Sequence, residues 1–191
     1  GNAELLAESA DTTAPELDAI LRAGDRAQQY LAALRSVGTV PAARQRTDSH
    51  AFVAALADTA NALCRPAKLH FVLQEQWQGQ FLCAAPELSR ALENMLDNAV
   101  RYPPAGGTVT LTISKADGDV AFTVTDTGPG FTPEALHKAG QFLYTDAARP
   151  CNGHQGLGLY LARSVAQAHG GKLVLANTGI GAQAQLCLPM Q

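Results

Sequence analysis

The stretch ALENMLDNAVRYPP, residues 91–104, combines two patterns. Its apolar residues recur in steps of three and four, which predicts a helix with one face packed inward. These residues are Leu92, Met95, Leu96, Ala99 and Val100. Asn94 and Asn98 lie four residues apart on the other face, although Asn in a helix interior costs up to about 0.7 kcal/mol relative to Ala. Two stacked carboxamides therefore raise the question of what this face binds.

The composition indicates a folded and slightly acidic protein. The chain has 191 residues, of which 47% are hydrophobic and 16% are charged, and its formal net charge is −3. Such a chain builds a hydrophobic core, and without a basic field it is not expected to bind nucleic acid. No apolar run reaches transmembrane length. We therefore expect a cytoplasmic chain, with any membrane anchor of the parent protein in upstream segments.

The four cysteines are scattered along the chain without a C-x-x-C pair. They are Cys64, Cys83, Cys151 and Cys187. This spacing favours reduced, mostly buried thiols over a zinc site or a disulfide framework.

The N-terminal part is predicted to be helical. From Pro15 to Val37 apolar and small residues alternate in steps of three and four, which is typical of a heptad seam that docks on a partner helix. The following residues, 38–48, contain the Gly and Pro punctuation of a linker. The predicted organisation is a helical segment over 1–38, a linker over 39–47 and a globular domain over 48–191.

The rest of the chain alternates helices with strands. Helices are predicted to begin at Asp48 or Ser49, near Pro86 and near Leu157, and the last one ends at a left-handed cap at Gly170. The predicted strands are LHFVL (69–73), QFLCA (80–84), TVTLTIS (108–114), VAFTVTD (120–126), KLVLAN (172–177) and AQLCLP (184–189). A loop over roughly 127 to 155 is too long for a simple connector. This order predicts an α/β sandwich with a mixed sheet covered by helices on one face.

Asp126 ends an apolar strand face, because it shares parity with Val120, Phe122 and Val124. A buried carboxylate without a partner costs several kcal/mol, so we expect it to meet a donor from the protein or from a ligand. The glycines of DTGPGF, residues 126–131, would let a flat ligand approach the backbone. An Asp-initiated turn at a strand end is the alternative explanation.

A second glycine cluster, GHQGLGL, occupies residues 153–159 and leads into the last helix. Backbone N–H groups at a helix N-terminus bind anions such as phosphates. The spacing is neither the Rossmann G-x-G-x-x-G nor the P-loop pattern, so those two nucleotide motifs are excluded.

The order of these motifs resembles the N, G1 and G2 boxes of the GHKL superfamily of ATP-binding proteins. Four segments are most similar to the catalytic domain of bacterial sensor histidine kinases: NMLDNAVRY (94–102), DTGPGF (126–131), GLGLYLARSVAQAHGGKL (156–173) and GAQAQLCLP (181–189). The resemblance covers about residues 48–189. It implies an α+β fold, the two-layer GHKL sandwich preceded by a helical segment, with ATP and Mg²⁺ as cofactors and protein-histidine kinase activity.

The resemblance also implies roles for the polar helix face. Asn98 matches the family's Mg²⁺ ligand, and Asn94 lies against the same triphosphate. Arg101 follows Asn98 by three residues and would contact phosphate oxygens, so Asn94 and Arg101 are the expected catalytic residues. Tyr102 would flank the nucleotide.

The remaining boxes supply the base pocket and the other side of the phosphate site. Asp126 matches the residue that accepts the adenine amino group, and Gly128 and Gly130 leave room for the ring. The G2 box contributes Gly153, Gly156, Leu157 and Gly158 at the phosphate end and at the hinge of the lid. Phe142 stands where the family keeps an aromatic F-box residue, or it merely anchors the lid.

Hydrolytic members of the superfamily use a Glu four residues before the Mg²⁺-binding Asn. Here that position is Asn94, and Glu93 lies about 100° away around the helix. The resemblance therefore favours phosphoryl transfer over hydrolysis.

The chain lacks the family's phosphoacceptor box, since no histidine stands in the pattern H-[ED]-x-[RN]-x-P. We expect the acceptor to lie upstream of this chain, on the first helix of a dimerising hairpin whose second helix is the 15–37 segment. The implied partners are a second copy of the full-length protein and a response regulator receiver domain. Two alternatives stay open, an inactive ATP-binding pseudokinase or scaffold and an anti-sigma-type serine kinase.

Overall fold

The computed structural model describes residues 43–116, 118–146 and 156–190. The helix predicted over 15–37 and residues 39–42 of the predicted linker lie outside these residues, as do Cys151 and Gly153.

The described residues contain seven strands, which form two sheets. The strands are β1 (Gln45–Asp48), β2 (His70–Glu75), β3 (Gln80–Cys83), β4 (Thr108–Ala116), β5 (Asp119–Asp126), β6 (Lys172–Asn177) and β7 (Ala182–Pro189). The main sheet has the order β2-β4-β5-β7-β6, and β1 pairs with β3 in a separate two-stranded sheet. Within the main sheet β2 and β4 are parallel and all other neighbours are antiparallel. The sheet is therefore mixed, as predicted.

Four helices complete the described fold. They are α1 (Ser49–Cys64), α2 (Ala85–Ala99), α3 (Pro133–Lys138) and α4 (Gly158–Ala168). The Asp48 side chain caps α1 by accepting from the Ala51 N–H at 2.9 Å. Helix α2 carries Pro86 in its first turn, where the missing N–H of proline costs no intrahelical hydrogen bond. After α4, Gly170 takes a φ of +78°, which confirms the predicted left-handed cap.

The core lies between α1, α2 and α4 and one face of the main sheet. Phe122 of β5 is fully buried at its centre, with the rings of Phe52 and Phe81 at centroid distances of 5.8 and 5.6 Å. The inward face of α2 contributes Leu88, Leu92, Met95 and Leu96, all nearly or completely inaccessible to solvent. This packing fixes which face of α2 points away from the core, and Asn94 and Asn98 lie on that other face.

Two elements differ from the predicted structure. β1 lies within the predicted linker, because the polar residues Gln45–Asp48 become a strand only through their pairing with β3. The short helix α3 lies within the predicted long loop, where Thr132 caps it and accepts from the Ala135 N–H at 3.1 Å. Neither segment has an apolar period of its own, so neither was detectable by periodicity.

The predicted state of the thiols is confirmed for Cys64, Cys83 and Cys187, which are free and buried. None of the helices in the described ranges combines the length and apolarity needed to cross a bilayer.

Candidate functional site

An open cleft lies between α2, the start of α4 and the segment that follows β5. Its empty volume is about 1020 Å³, with the solvent at its mouth included. Most of the residues predicted to form the site line it, namely Asn94, Asn98, Arg101, Tyr102, Asp126, Gly130, Gly156, Leu157 and Gly158. The three sequence motifs therefore meet in one cavity, although they are separated along the chain.

Asp126 closes one end of the cleft. The residue is only 6% exposed, and its Oδ1 accepts from the Gly128 N–H at 2.7 Å and from the Ala182 N–H at 3.3 Å. Burial raises the pKa of this carboxyl above its ordinary value, and the two N–H donors oppose that rise. Because both hydrogen bonds go to Oδ1, Oδ2 is available to a donor that enters the cleft.

The glycines around Asp126 are explained by close approach of backbone to backbone. A Cβ on Gly128 would lie 2.8 Å from Asp126 Oδ1 and 3.3 Å from the Pro103 nitrogen. Gly181, between β6 and β7, leaves no room for a Cβ against the Asp126 carbonyl. Glycine at both positions therefore lets the backbone pack closely around Asp126.

Asn94 and Asn98 line the opposite part of the cleft on the exposed side of α2. The Nδ2 of Asn94 donates to the Arg90 carbonyl at 2.7 Å, which fixes the carboxamide with its Oδ1 toward Gly158. Within the described part of the chain, no hydrogen bond to a protein group engages the Asn98 carboxamide. The Asn98 oxygen is thus available as a hard ligand of the kind Mg²⁺ accepts.

Arg101 lies two residues beyond the end of α2 and still lines the cleft together with Asn98. The helix ends at Ala99 with Val100 as its C-cap, so Arg101 belongs to the turn that follows the helix. The guanidinium forms an ion pair with the Asp97 carboxylate, and both residues line the cleft. Arg101 therefore brings positive charge to the site while being oriented by Asp97.

The N-terminus of α4 faces Asn94 across the cleft. Leu157 is its N-cap residue, and no side chain caps the helix among the residues described. A Cβ on Gly158 would lie 3.3 Å from Asn94 Oδ1. An uncapped helix N-terminus with a glycine in its first turn leaves backbone N–H groups open to an anion.

Gly156 is required by its neighbours. Its φ is +69°, and a Cβ would overlap the backbone of Tyr144. The segment entering α4 is thus packed directly against the chain that leaves α3.

Two predicted residues do not line the cleft. Gly128 lies behind it, where its N–H supports Asp126. Phe142 is 49% exposed and packs edge-on against Tyr160, with ring centroids 5.2 Å apart, which is an anchoring position. The prediction for Gly153 concerns a residue outside the described ranges.

Other cleft residues were not predicted from the sequence. They are Asp97, Phe131, Ala135, Ala139, Gly140, Tyr144, Thr145, Asp146, Leu159 and Ala182. The Asp146 carboxylate accepts from the Thr132 hydroxyl at 2.7 Å, which ties this part of the chain to the start of α3. The Tyr144 hydroxyl is buried and has no hydrogen-bond partner within the described ranges. A buried hydroxyl that lines a cleft is a group that a ligand can satisfy.

The donor set of the cleft fits a magnesium-bound purine nucleotide. The Asp126 side chain, with Oδ2 not engaged by the two backbone N–H donors, suits a ligand with an N–H donor at one end. Carboxamide oxygens, a guanidinium and an uncapped helix N-terminus suit a metal and phosphates at the other end. Such a combination of fold and site defines an ATP-binding domain of the GHKL type.

A comparison with protein families agrees with this class. The family described as "Histidine kinase-, DNA gyrase B-, and HSP90-like ATPase" matches residues 83–191. The chain belongs to this family.

Curated relatives are sensor kinases. The chain is 41% identical over 107 residues to the sensor histidine kinase SpaK of Bacillus subtilis, a match that covers 54% of this chain and 23% of SpaK. It is 42% identical over 94 residues to the sensor protein QseC of Escherichia coli K12, covering 49% of this chain and 20% of QseC. The chain thus matches less than a quarter of the length of these relatives.

Solved structures share the fold. The mycobacterial sensor histidine kinase MprB superposes with a TM-score of 0.69 at 24% identity, over 77% of this chain and 99% of that one. Full-length ShkA in complex with AMPPNP superposes with a TM-score of 0.75 at 23% identity, over 85% of this chain and 34% of that one.

Proposed function

We propose that this chain is the ATP-binding catalytic domain of a two-component sensor histidine kinase. The observation that carries the proposal is the arrangement of one cleft, with the Asp126 carboxylate at one end and Asn94, Asn98 and the α4 N-terminus at the other. The relatives, which are named sensor kinases, support the assignment of the parent protein to two-component signalling.

In this proposal each group has a defined task. Asp126 Oδ2 accepts the exocyclic amine of adenine, and the backbone N–H groups at the start of α4 bind phosphate oxygens. Asn98 holds Mg²⁺, with Asn94 beside it, and the bound metal neutralises phosphate charge. Arg101 adds a second positive charge, which Asp97 orients.

The site favours transfer to an acceptor over hydrolysis. The residue that faces the phosphate end is Asn94, whereas Glu93 does not line the cleft. Asp97, the acidic residue beside Asn98 in the cleft, is engaged with Arg101. A carboxylate placed to activate water is therefore lacking beside Asn98 among the residues described, and phosphoryl transfer needs mainly positioning and charge neutralisation.

The acceptor in this proposal is a histidine outside the chain. In the transfer, the bond between the γ-phosphorus and the β-phosphate oxygen breaks and a bond from an imidazole nitrogen to phosphorus forms. ADP leaves with the electron pair of the broken bond, and the proton displaced from the imidazole passes to water. His169 is only 4% exposed and hydrogen-bonded at both nitrogens, so it is not a candidate acceptor.

The partners belong to the same proposal. The full-length protein would dimerise through a hairpin to which residues 1–38 contribute, and a response regulator receiver domain would take the phosphoryl group. The residues that precede β1 would connect this part to the catalytic domain, in which β1 pairs with β3, and the catalytic domain would work in the cytoplasm.

Calorimetric titration with the ATP analogue AMPPNP tests the proposal. The unaltered chain is expected to bind it about tenfold more tightly with Mg²⁺ than with EDTA, and Asn98→Ala is expected to abolish this difference because the metal loses its protein ligand. Asn61→Ala is the matched control, since Asn61 is exposed on α1 and its side chain bonds the Ala57 carbonyl of the same helix. Absence of binding, or equal affinity with and without Mg²⁺ in the unaltered chain, would contradict the proposal.

A further inference from the structure

One side chain, Asn177 at the end of β6, holds the loop that follows β5. Its Oδ1 accepts from the Phe131 N–H at 2.6 Å, and its Nδ2 donates to the Phe131 carbonyl at 2.9 Å. A single carboxamide thus satisfies both backbone polar groups of Phe131, as a strand partner does in an antiparallel ladder. The two residues are 46 positions apart, so the contact joins distant parts of the chain.

The contact explains why residue 130 is a glycine. Gly130 has a φ of +75°, and a Cβ there would lie 2.7 Å from Asn177 Oδ1. Any side chain would push the carboxamide away from Phe131. Gly130 and Phe131 both line the cleft, so Asn177 fixes a wall of the cleft without lining it.

The turn that carries Asn177 also holds Asp126. The Thr178 N–H donates to the Gly181 carbonyl at 2.8 Å, and the Thr178 hydroxyl accepts from the Gly181 N–H at 3.1 Å. Ala182, directly after this turn, donates its N–H to Asp126 Oδ1. The carboxylate and the Gly130–Phe131 wall are therefore both held by the turn over 177–182.

We propose that Asn177 is a positioning residue for nucleotide binding, which sets the Gly130–Phe131 wall at a fixed place relative to the Asp126 carboxylate. This inference rests on the proposed function, because it assumes that the base binds at Asp126. Its effect is expected at the base end, since the Asn177 side chain bonds Phe131 and lies against Gly130, whereas Mg²⁺ and the phosphates are proposed to bind at Asn94, Asn98 and the α4 N-terminus.

The first test compares ADP and Mg²⁺–AMPPNP binding to the unaltered chain, Asn177→Ala and the exposed control Asn61→Ala. Asn177→Ala is expected to weaken both ligands by the same factor, about tenfold, because two hydrogen bonds to the wall are lost. The gain in AMPPNP affinity from Mg²⁺ is expected to stay unchanged. A general loss of structure would also reduce the increase in AMPPNP affinity that Mg²⁺ causes. A thermal melt of each variant checks that it is folded.

The second test uses Asn177→Asp. An ionised Asp accepts from the Phe131 N–H but opposes the Phe131 carbonyl, whereas a protonated Asp supplies an acceptor and a donor as the amide does. The ADP affinity of Asn177→Asp, divided by that of the unaltered chain at the same pH, is expected to rise as the pH falls from about 6 to about 4, because an exposed Asp is protonated near the lower end of this range. Both proteins contain Asp126, so the effect of its titration on ADP affinity cancels in this ratio.

The outcomes separate the two proposals. If the unaltered chain binds nucleotide but Asn177→Ala binds it equally well, or if the affinity ratio for Asn177→Asp is independent of pH, the positioning role is wrong. If the unaltered chain binds no nucleotide, the proposed function is wrong and this inference falls with it.

Discussion

At the scale of single residues, Asp126 is a buried carboxyl for which we propose a role in nucleotide binding. The carboxyl is buried, and burial raises its pKa despite the N–H groups of Gly128 and Ala182. A carboxyl whose pKa is higher in the folded than in the unfolded chain binds protons more tightly when folded. The free energy of unfolding therefore falls as the pH rises through the folded-state pKa.

Asp126→Asn is expected to stabilise the nucleotide-free protein at neutral pH, by roughly 1 kcal/mol or about 2–4 °C in Tm. The amide oxygen retains both N–H donors and no charge is buried. Thermal melts over a series of pH values measure this, and the advantage over the unaltered chain should shrink as the pH falls through the raised pKa of Asp126. The same variant should lose about 1–3 kcal/mol of nucleotide affinity, because Oδ1 stays with the two N–H donors and the Nδ2 that replaces Oδ2 is a donor, which cannot accept from the adenine amine.

Asp119→Asn, at the other end of β5, is the control for charge removal on the same strand. If Asp126→Asn is less stable than the unaltered chain at neutral pH, the charge of Asp126 does not lower the stability of the nucleotide-free protein. Unchanged nucleotide affinity would remove Asp126 from the site.

The sequence predicted some of these residues for reasons that are local. The alternation of β5 placed Asp126 on the buried face, and helical spacing placed Asn94 and Asn98 on one side of α2. Asn177 and Gly181 were not predicted, because their roles depend on β7 lying beside β5 and on a turn meeting a loop far away in sequence. The position of Arg101 depended on where α2 ends, which periodicity fixes poorly.

At the scale of secondary-structure elements, α2 and α4 are joined at both ends. Near the cleft Gly158 lies against Asn94, and at the far end His169 links the end of α4 to the start of α2. The His169 Nε2 accepts from the Ala84 N–H at 3.0 Å, so Nδ1 carries the proton that is donated to the Val165 carbonyl at 2.8 Å. Arg44 also bonds the Ala168 carbonyl at 2.6 Å, at the end of α4.

His169→Ala is expected to lower the free energy of unfolding by about 1–3 kcal/mol, because the buried Ala84 N–H loses its acceptor. Urea unfolding followed by circular dichroism measures the change. His70→Ala is the control, since His70 is exposed on the edge strand β2. Equal stability of the two variants would show that the link between α2 and α4 contributes nothing.

The longer helices and the strands of the main sheet were predictable because each buries a periodic apolar face. β1 and α3 were not, since β1 is polar and depends on its partner strand, and α3 is a short capped helix within a loop. Helices and strands with a periodic apolar face were thus predictable from the sequence. Elements that form only through strand pairing or helix capping, such as β1 and α3, were not.

At the scale of the whole molecule, the fold brings three separated motifs to one cleft. β5 supplies the carboxylate, α2 the carboxamides and α4 an uncapped N-terminus, and the sheet order places these elements side by side. The sequence predicted the two-layer architecture and the motifs, whereas the common cavity depends on how the layers pack. The wall held by Asn177 and the buried Tyr144 hydroxyl are features of that packing.

The most direct measurement of the central claim is a crystal structure of this chain with Mg²⁺ and AMPPNP. The account predicts the adenine amine within hydrogen-bonding distance of Asp126 Oδ2, the metal on Asn98, and phosphate oxygens at the N-terminus of α4. A nucleotide bound elsewhere, or a cleft that stays free of nucleotide at saturating concentration, would contradict it.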